Sequence, residues 1–170
     1  MRTLAMIAAA TLLCACAPEA TERTFHDMGP MPVVAAFYDA RPMQRDAEWL
    51  SVWFTQETAQ AIEANANGDE AARLDFDIRS WANDPKVDDI RYAVSEHPEG
   101  DADIVTRFGY PSIPGGMHLT WIMCQRADGQ WRIQDVAAVD VPDEPSPGAG
   151  EAITLRALLG LDPAAAAECS

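Results

Sequence analysis

Lysine is almost missing from this sequence: Lys86 is the single one in 170 residues, and all Lys and Arg together number 12 against 27 Asp and Glu, a net charge of −15. A nucleic-acid-binding face has to replace phosphate counterions with clustered cations, and scattered arginines do not supply one. The same acidity opposes simple adsorption onto anionic lipid. Histidine is scarce too, with His26, His97 and His118 far apart, and the cysteines Cys14, Cys16, Cys124 and Cys169 show no zinc-ligand spacing among themselves or with those histidines. No phosphate loop and no Ser-His-Asp arrangement is present, so neither a metal nor a cofactor is expected. Long apolar runs are also lacking. The uncharged stretch 3–13 would rise only about 16 Å as a helix, roughly half of a bilayer core.

What is present at the start is an export pattern. Arg2 precedes the run Thr3-Leu4-Ala5-Met6-Ile7-Ala8-Ala9-Ala10-Thr11-Leu12-Leu13, which ends at Leu13-Cys14-Ala15-Cys16. An aliphatic residue three places before a cysteine and a small residue directly before it resemble the lipobox of bacterial lipoproteins. Residues 1–15 are then a signal to be cleaved, Cys16 the lipidated residue, and 16–29 a polar tether. An ordinary secretory cleavage is the alternative, because Ala15 suits either peptidase. Cys16 is better placed than Cys14, which would need Leu13 where a small side chain is preferred. Without Arg2 the remainder has 11 basic against 27 acidic residues, a net of −16. Acyl chains on one sulfur, at about 0.8 kcal/mol for each buried CH₂, hold such a domain to a membrane despite that charge. Ala17 rather than Asp follows the cysteine, which by resemblance to known sorting rules favours the outer membrane. Cys124 and Cys169 remain as a pair in an oxidising compartment. A disulfide is one reading, and a buried free Cys124 with a loose Cys169 is the reading the sequence favours.

The length suits one domain, placed at residues 30–161 with a frayed tail at 162–170. Val33, Val34, Phe37 and Tyr38 share one helical face after Pro32, and a second helix is expected over 48–66 from Leu50, Trp53, Phe54, Thr58, Ala61 and Ile62. Leu74-Asp75-Phe76-Asp77-Ile78 alternates as a short strand would. From Ile90 onward the period is two, giving strands near 90–95, 102–110, 117–126 and 130–139, with Asp128-Gly129 as the strongest turn signal. A closing helix is expected over 153–161. Helices first and an antiparallel meander afterwards define an α+β domain, with the N-terminal helices packed on one face of a curved sheet.

Ala36-Phe37-Tyr38-Asp39-Ala40, Trp49-Leu50-Ser51, Leu74-Asp75-Phe76-Asp77, Gly129-Gln130-Trp131-Arg132-Ile133-Gln134-Asp135 and Leu155-Arg156-Ala157-Leu158-Leu159 together resemble a bacterial domain-of-unknown-function family (number 3828), often found as lipoproteins, within the nuclear-transport-factor-two-like or cystatin-like superfamily. The resemblance spans about 30–161 and implies a cone-shaped fold. It implies no activity, because such cones serve isomerases, dehydratases, binding modules and assembly domains alike.

Catalysis in a cone needs a buried acid–base pair. Asp75 and Asp77 on one strand side could form a carboxylate pair, but capping of a turn is the simpler role. His118 lies in the otherwise apolar Met117–Ile122 stretch, where a lone strand histidine ordinarily faces outward; Asp135 reads as a structural acceptor. The expectation is therefore a non-catalytic envelope lipoprotein that binds a partner protein or a small apolar ligand, with Tyr38, Asp77, Trp81, His118, Trp121 and Trp131 around the pocket. An isomerase or dehydratase using Asp77 or His118 as base is the first alternative. An acidic antagonist of a cationic envelope toxin is the second.

Overall fold

The computed structural model describes residues 28–40, 43–83, 87–97, 101–110, 113–140, 152–163 and 169. The expected export signal, Cys16 and most of the expected tether lie outside them. Within them the chain is α+β. It comprises α1 (Pro30–Asp39), α2 (Ala47–Leu50), α3 (Gln56–Ala66), a 3₁₀ turn (Glu70–Ala72), strands β1 (Asp88–Glu96), β2 (Asp101–Tyr110), β3 (Ile113–Gln125), β4 (Trp131–Asp140) and β5 (Ile153–Thr154), and α4 (Leu155–Leu158). The strands form one antiparallel meander in the order β1-β2-β3-β4-β5.

Period-two patterning sorts the sheet into two faces. Ala102, Ile104, Thr106 and Phe108 of β2, and Met117, Leu119, Trp121 and Met123 of β3, are buried at alternate positions. On β4 the register slips opposite Ile122 and Met123, so the inward series passes from Ile133 to Val136 and Ala138. That bulge turns Asp135 away from the core. Onto the inner face α1 lays its Val33, Val34, Phe37 and Tyr38 stripe, all buried. Phe37 is the hub: its ring lies 5.3 Å from Phe54 edge-on, 5.7 Å from Trp121, 5.6 Å from Trp53 and 6.1 Å from Trp49.

One polar group sits inside this cluster with its capacity filled. Thr106 Oγ1 accepts from Trp121 Nε1 at 3.0 Å and from the Tyr38 hydroxyl at 3.2 Å, and donates to the Leu119 carbonyl at 3.3 Å.

The expected helix over 48–66 is two helices, because tertiary pairing outweighs helical propensity at its middle. Ile133 N–H donates to the Trp53 carbonyl at 2.7 Å and Thr55 N–H donates to the Ile133 carbonyl at 2.9 Å, a parallel bridge at Phe54 that gives the edge of β4 a partner. Asp46 caps α2 through Trp49 N–H, and Glu63 of α3 accepts from Ala47 N–H. The expected strand at 74–78 is instead a turn. Its carbonyls at Leu74 and Phe76 accept from the Arg45 guanidinium at 2.7 and 2.9 Å, where a strand would offer them to a neighbouring strand. The closing helix shortens to α4 because Ile153 and Thr154 pair with Ala138 and Ala137 as β5. It ends at Gly160, whose φ of 73° permits the Gly160→Ala157 and Leu161→Arg156 backbone bonds. Gly129 likewise takes φ 85° in the β3–β4 turn.

The free-thiol reading of the last cysteines is corrected: Cys124 and Cys169, 45 positions apart in the sequence, are joined, with Cα atoms 6.0 Å apart. Cys124 sits on the outer sheet face, one place from inward Met123, and Cys169 meets it there. Closing a loop of that length stabilises by about 4 kcal/mol in the chain-entropy model. The Cys124→Ser/Cys169→Ser variant is expected to lose up to that amount in denaturant unfolding, and a reductant should have no effect on the variant. Thr106→Val should cost about 3 kcal/mol by the same measurement, since it leaves two buried donors, the Tyr38 hydroxyl and the Trp121 indole N–H, without an acceptor.

Candidate functional site

The residues expected to surround a pocket do not converge on one. Trp121 is 0 % and Tyr38 5 % exposed, so both belong to the packed interior that they were expected to line. Burial pushes the Tyr38 phenol well above its ordinary range, its hydrogen bond to Thr106 only partly opposing this, and the group has no proton to exchange near neutrality. Trp131 is half-buried at the start of β4, packed against the core margin. Trp81, at φ 53°, stacks on Phe76 at 4.9 Å in the turn before β1.

The titratable candidates are committed to structural bonds or to the surface. Asp77 forms a two-oxygen pair with Arg79 at 2.6 and 3.0 Å, and Arg79 also donates to the Ala40 carbonyl at 2.7 Å, tying the turn to the end of α1. Asp75 and Asp39 are exposed. His118 lies on the outer sheet face, opposite Arg107 of β2. His97, in the β1–β2 hairpin, meets Asp103 at 3.1 Å on the surface. No three His, Cys, Asp or Glu side chains among the described residues could share a metal ion, and no helix among them is long and apolar enough to cross a membrane.

Asp135 and Arg156 form a buried polar junction that sequence reasoning saw only as an acceptor beside Trp131 and Arg132. The Asp135 Oδ1 accepts from Val136 N–H at 2.8 Å and Arg156 N–H at 2.9 Å, while burial raises the pKa of the carboxyl. The Arg156 side chain, 1 % exposed, donates to Glu57 Oε2 at 2.8 Å and to the Asp162 carbonyl at 3.2 Å. Thr58 of α3 donates to the Gln134 carbonyl, so α3, β4 and α4 are bonded at one place.

A concavity does exist, at the other end of β4. A groove of about 580 Å³ lies between the α2–α3 pair and the β3–β4 hairpin. Ala47, Glu48, Ser51 and Val52 form its α2 side, Gln56, Ala59 and Gln60 its α3 side, and Arg126 and Arg132 its hairpin side, with Phe54 at the helix break also lining it. The volume falls in the range of small-molecule sites. Phe54 and Ala59 are each 1 % exposed, whereas Val52 is 38 % exposed. Arg132 is 9 % exposed, donating to the Trp131 carbonyl at 2.9 Å and to Gln130 Oε1 at 2.6 Å. Burial, then the charge of Arg126, pushes its guanidinium below the ordinary value, with Asp128 opposing; the group stays cationic at any physiological pH. Sequence reasoning missed this groove because Arg126 and Arg132 belong to a plain hairpin, and their nearness to α2 depends on the Phe54 bridge.

No family model, no curated protein and no solved structure matches the chain. The site's own residues therefore carry the functional argument.

Burial, and then the Arg107 charge, hold the His118 imidazole below its usual range. A depressed histidine opposes folding once protonated: the penalty is absent above the unfolded-state value near 6.5, grows as pH falls from there towards the lower folded value, and is constant below it. His118→Gln should therefore narrow the loss of stability between about pH 7 and 5 in urea titrations. A parent and variant that lose stability in parallel would show that the ring is not perturbed.

Proposed function

We propose that this chain is an envelope lipoprotein, anchored through Cys16 on the periplasmic side of the outer membrane, whose folded domain is a non-catalytic binding module. The domain is read as a member of the nuclear-transport-factor-two-like class, and in this chain the interior around Phe37 and Trp121 is packed while the groove lies beside the β3–β4 hairpin. The observation that carries this reading is the groove of about 580 Å³, which has an apolar floor at Phe54 and Ala59 and a polar hairpin wall. Asp77 and His118, the groups that acid–base chemistry would need, do not line it. The Cys124–Cys169 disulfide supports an oxidising compartment and thereby export. The occupant is a small ligand with an apolar portion, because a groove of this volume buries a drug-sized molecule and not a protein surface.

Two measurements test the proposal. Mass spectrometry of the mature full-length protein should find an acylated Cys16 as its first residue, and Cys16→Ser should leave the protein out of the membrane fraction. Native mass spectrometry of the detergent-extracted protein should show a co-purifying small molecule that Gln60→Trp, which fills the groove from α3, removes. Absence of any such ligand, together with no partner captured by cross-linking in membranes, would overturn the binding-module reading.

A further inference from the structure

Two guanidinium groups share the hairpin wall of the groove in a chain that is otherwise strongly acidic. Arg126 and Arg132 flank the β3–β4 turn, and both line the same concavity. Arg132 is nine-tenths buried and is held by neutral acceptors alone among its hydrogen bonds, the Trp131 carbonyl and Gln130 Oε1. Its interaction with Arg126 is repulsive. Asp128, whose carboxylate stands 4.0 Å from Arg126 on the exposed turn, offsets part of that repulsion. Placing a buried guanidinium beside a second one costs free energy that neutral acceptors do not return, and an anion between them recovers it through charge-assisted bonds. On the helix side of the groove Val52, Phe54 and Ala59 offer apolar contact among the polar side chains of Ser51, Gln56 and Gln60, with Glu48 as the lining carboxylate.

We propose that the groove selects a medium-chain carboxylate, its head between Arg126 and Arg132 and its hydrocarbon chain against Phe54, Ala59 and Val52. This rests on the binding-module reading and names its ligand class. With Arg126 paired to Asp128 at 4.0 Å and Glu48 as the lining carboxylate, Arg132, whose hydrogen bonds go to neutral acceptors, is the cation that a single negative charge meets, and a dianion such as a phosphate monoester finds no second one in surplus. The exposed Val52 gives the hydrocarbon chain a place to rest that the free protein leaves in water. A planar carboxylate also meets a guanidinium fork through two parallel bonds.

Titration calorimetry of the full folded protein with decanoate, decanol, decyl phosphate and decylammonium tests it. Decanoate is expected to bind, decanol and decyl phosphate about tenfold more weakly or worse, and decylammonium not at all. Arg132→Gln should reduce decanoate affinity about tenfold while leaving decanol unchanged, and Arg126→Gln, on a more exposed side chain, should give a smaller loss in the same direction. Should Arg132→Gln fail to fold by circular dichroism, Arg126→Gln carries the test alone. Equal affinity for decanoate and decanol overturns the carboxylate assignment and leaves the groove reading standing, and tighter binding of decyl phosphate overturns it in favour of a phosphate head. Binding of none of the four overturns the assignment and the groove reading together.

Discussion

The packing of Phe37 and Trp121 against each other is the contact on which the rest of this domain depends. Their rings are 5.7 Å apart, one on the first helix and the other at the middle of the longest strand, and both are fully buried. Around them Trp53, Phe54 and Tyr38 close the space between helices and sheet. Large aromatic groups pack to the density of an organic crystal, so the space around these rings is filled by the protein's own side chains. The groove accordingly lies at one end of the fold, beside the β3–β4 hairpin. Thr106 makes this arrangement singular: one hydroxyl accepts from both the tyrosine and the tryptophan, so neither ring can turn without stranding a buried donor.

The second constraint is the open edge of β4, which has to be covered for the sheet to be stable in water. Three different parts of the chain cover it. The helix break at Phe54 bonds Ile133, Thr58 bonds the Gln134 carbonyl, and β5 pairs at Ala137 and Ala138. The bulge that makes Ile133 and Val136 both inward leaves Asp135 facing the α4 start, where its carboxylate holds the Arg156 N–H. Past that junction the chain is fixed again by the disulfide to Cys124. These contacts join residues as much as 99 positions apart, as in the Arg156–Glu57 pair, and they are what hold α2 and α3 beside the β3–β4 hairpin to form the groove.

Much of this was legible in the residues. The stripe on α1, the alternation of β2 to β4 and the Asp128-Gly129 turn are each dictated by a local period or a local backbone requirement, and a sequence displays both. Where reading failed, a distant partner had decided the matter. Residues 51–55 have helical spacing yet bond to β4, and residues 74–78 alternate like a strand but give their carbonyls to Arg45. Trp121 and Tyr38 were expected to line a cavity and both lie in the packed interior, because hydrophobic patterning tells that a residue is buried and not whether the opposite layer fills the gap.

The sequence by itself determined the α+β class, the strongly acidic surface and the faces of the main helix and strands, since composition and short-range periodicity act through neighbouring residues. The tertiary structure alone decided that Cys124 meets Cys169, that Asp135 anchors Arg156, and that Arg126 and Arg132 share a groove with Phe54 and Ala59. The physical reason is one of range: those encounters depend on a bulge, a helix break and a chain return whose energies come from edge pairing and aromatic packing across tens of residues, and no local pattern encodes which distant group will be there.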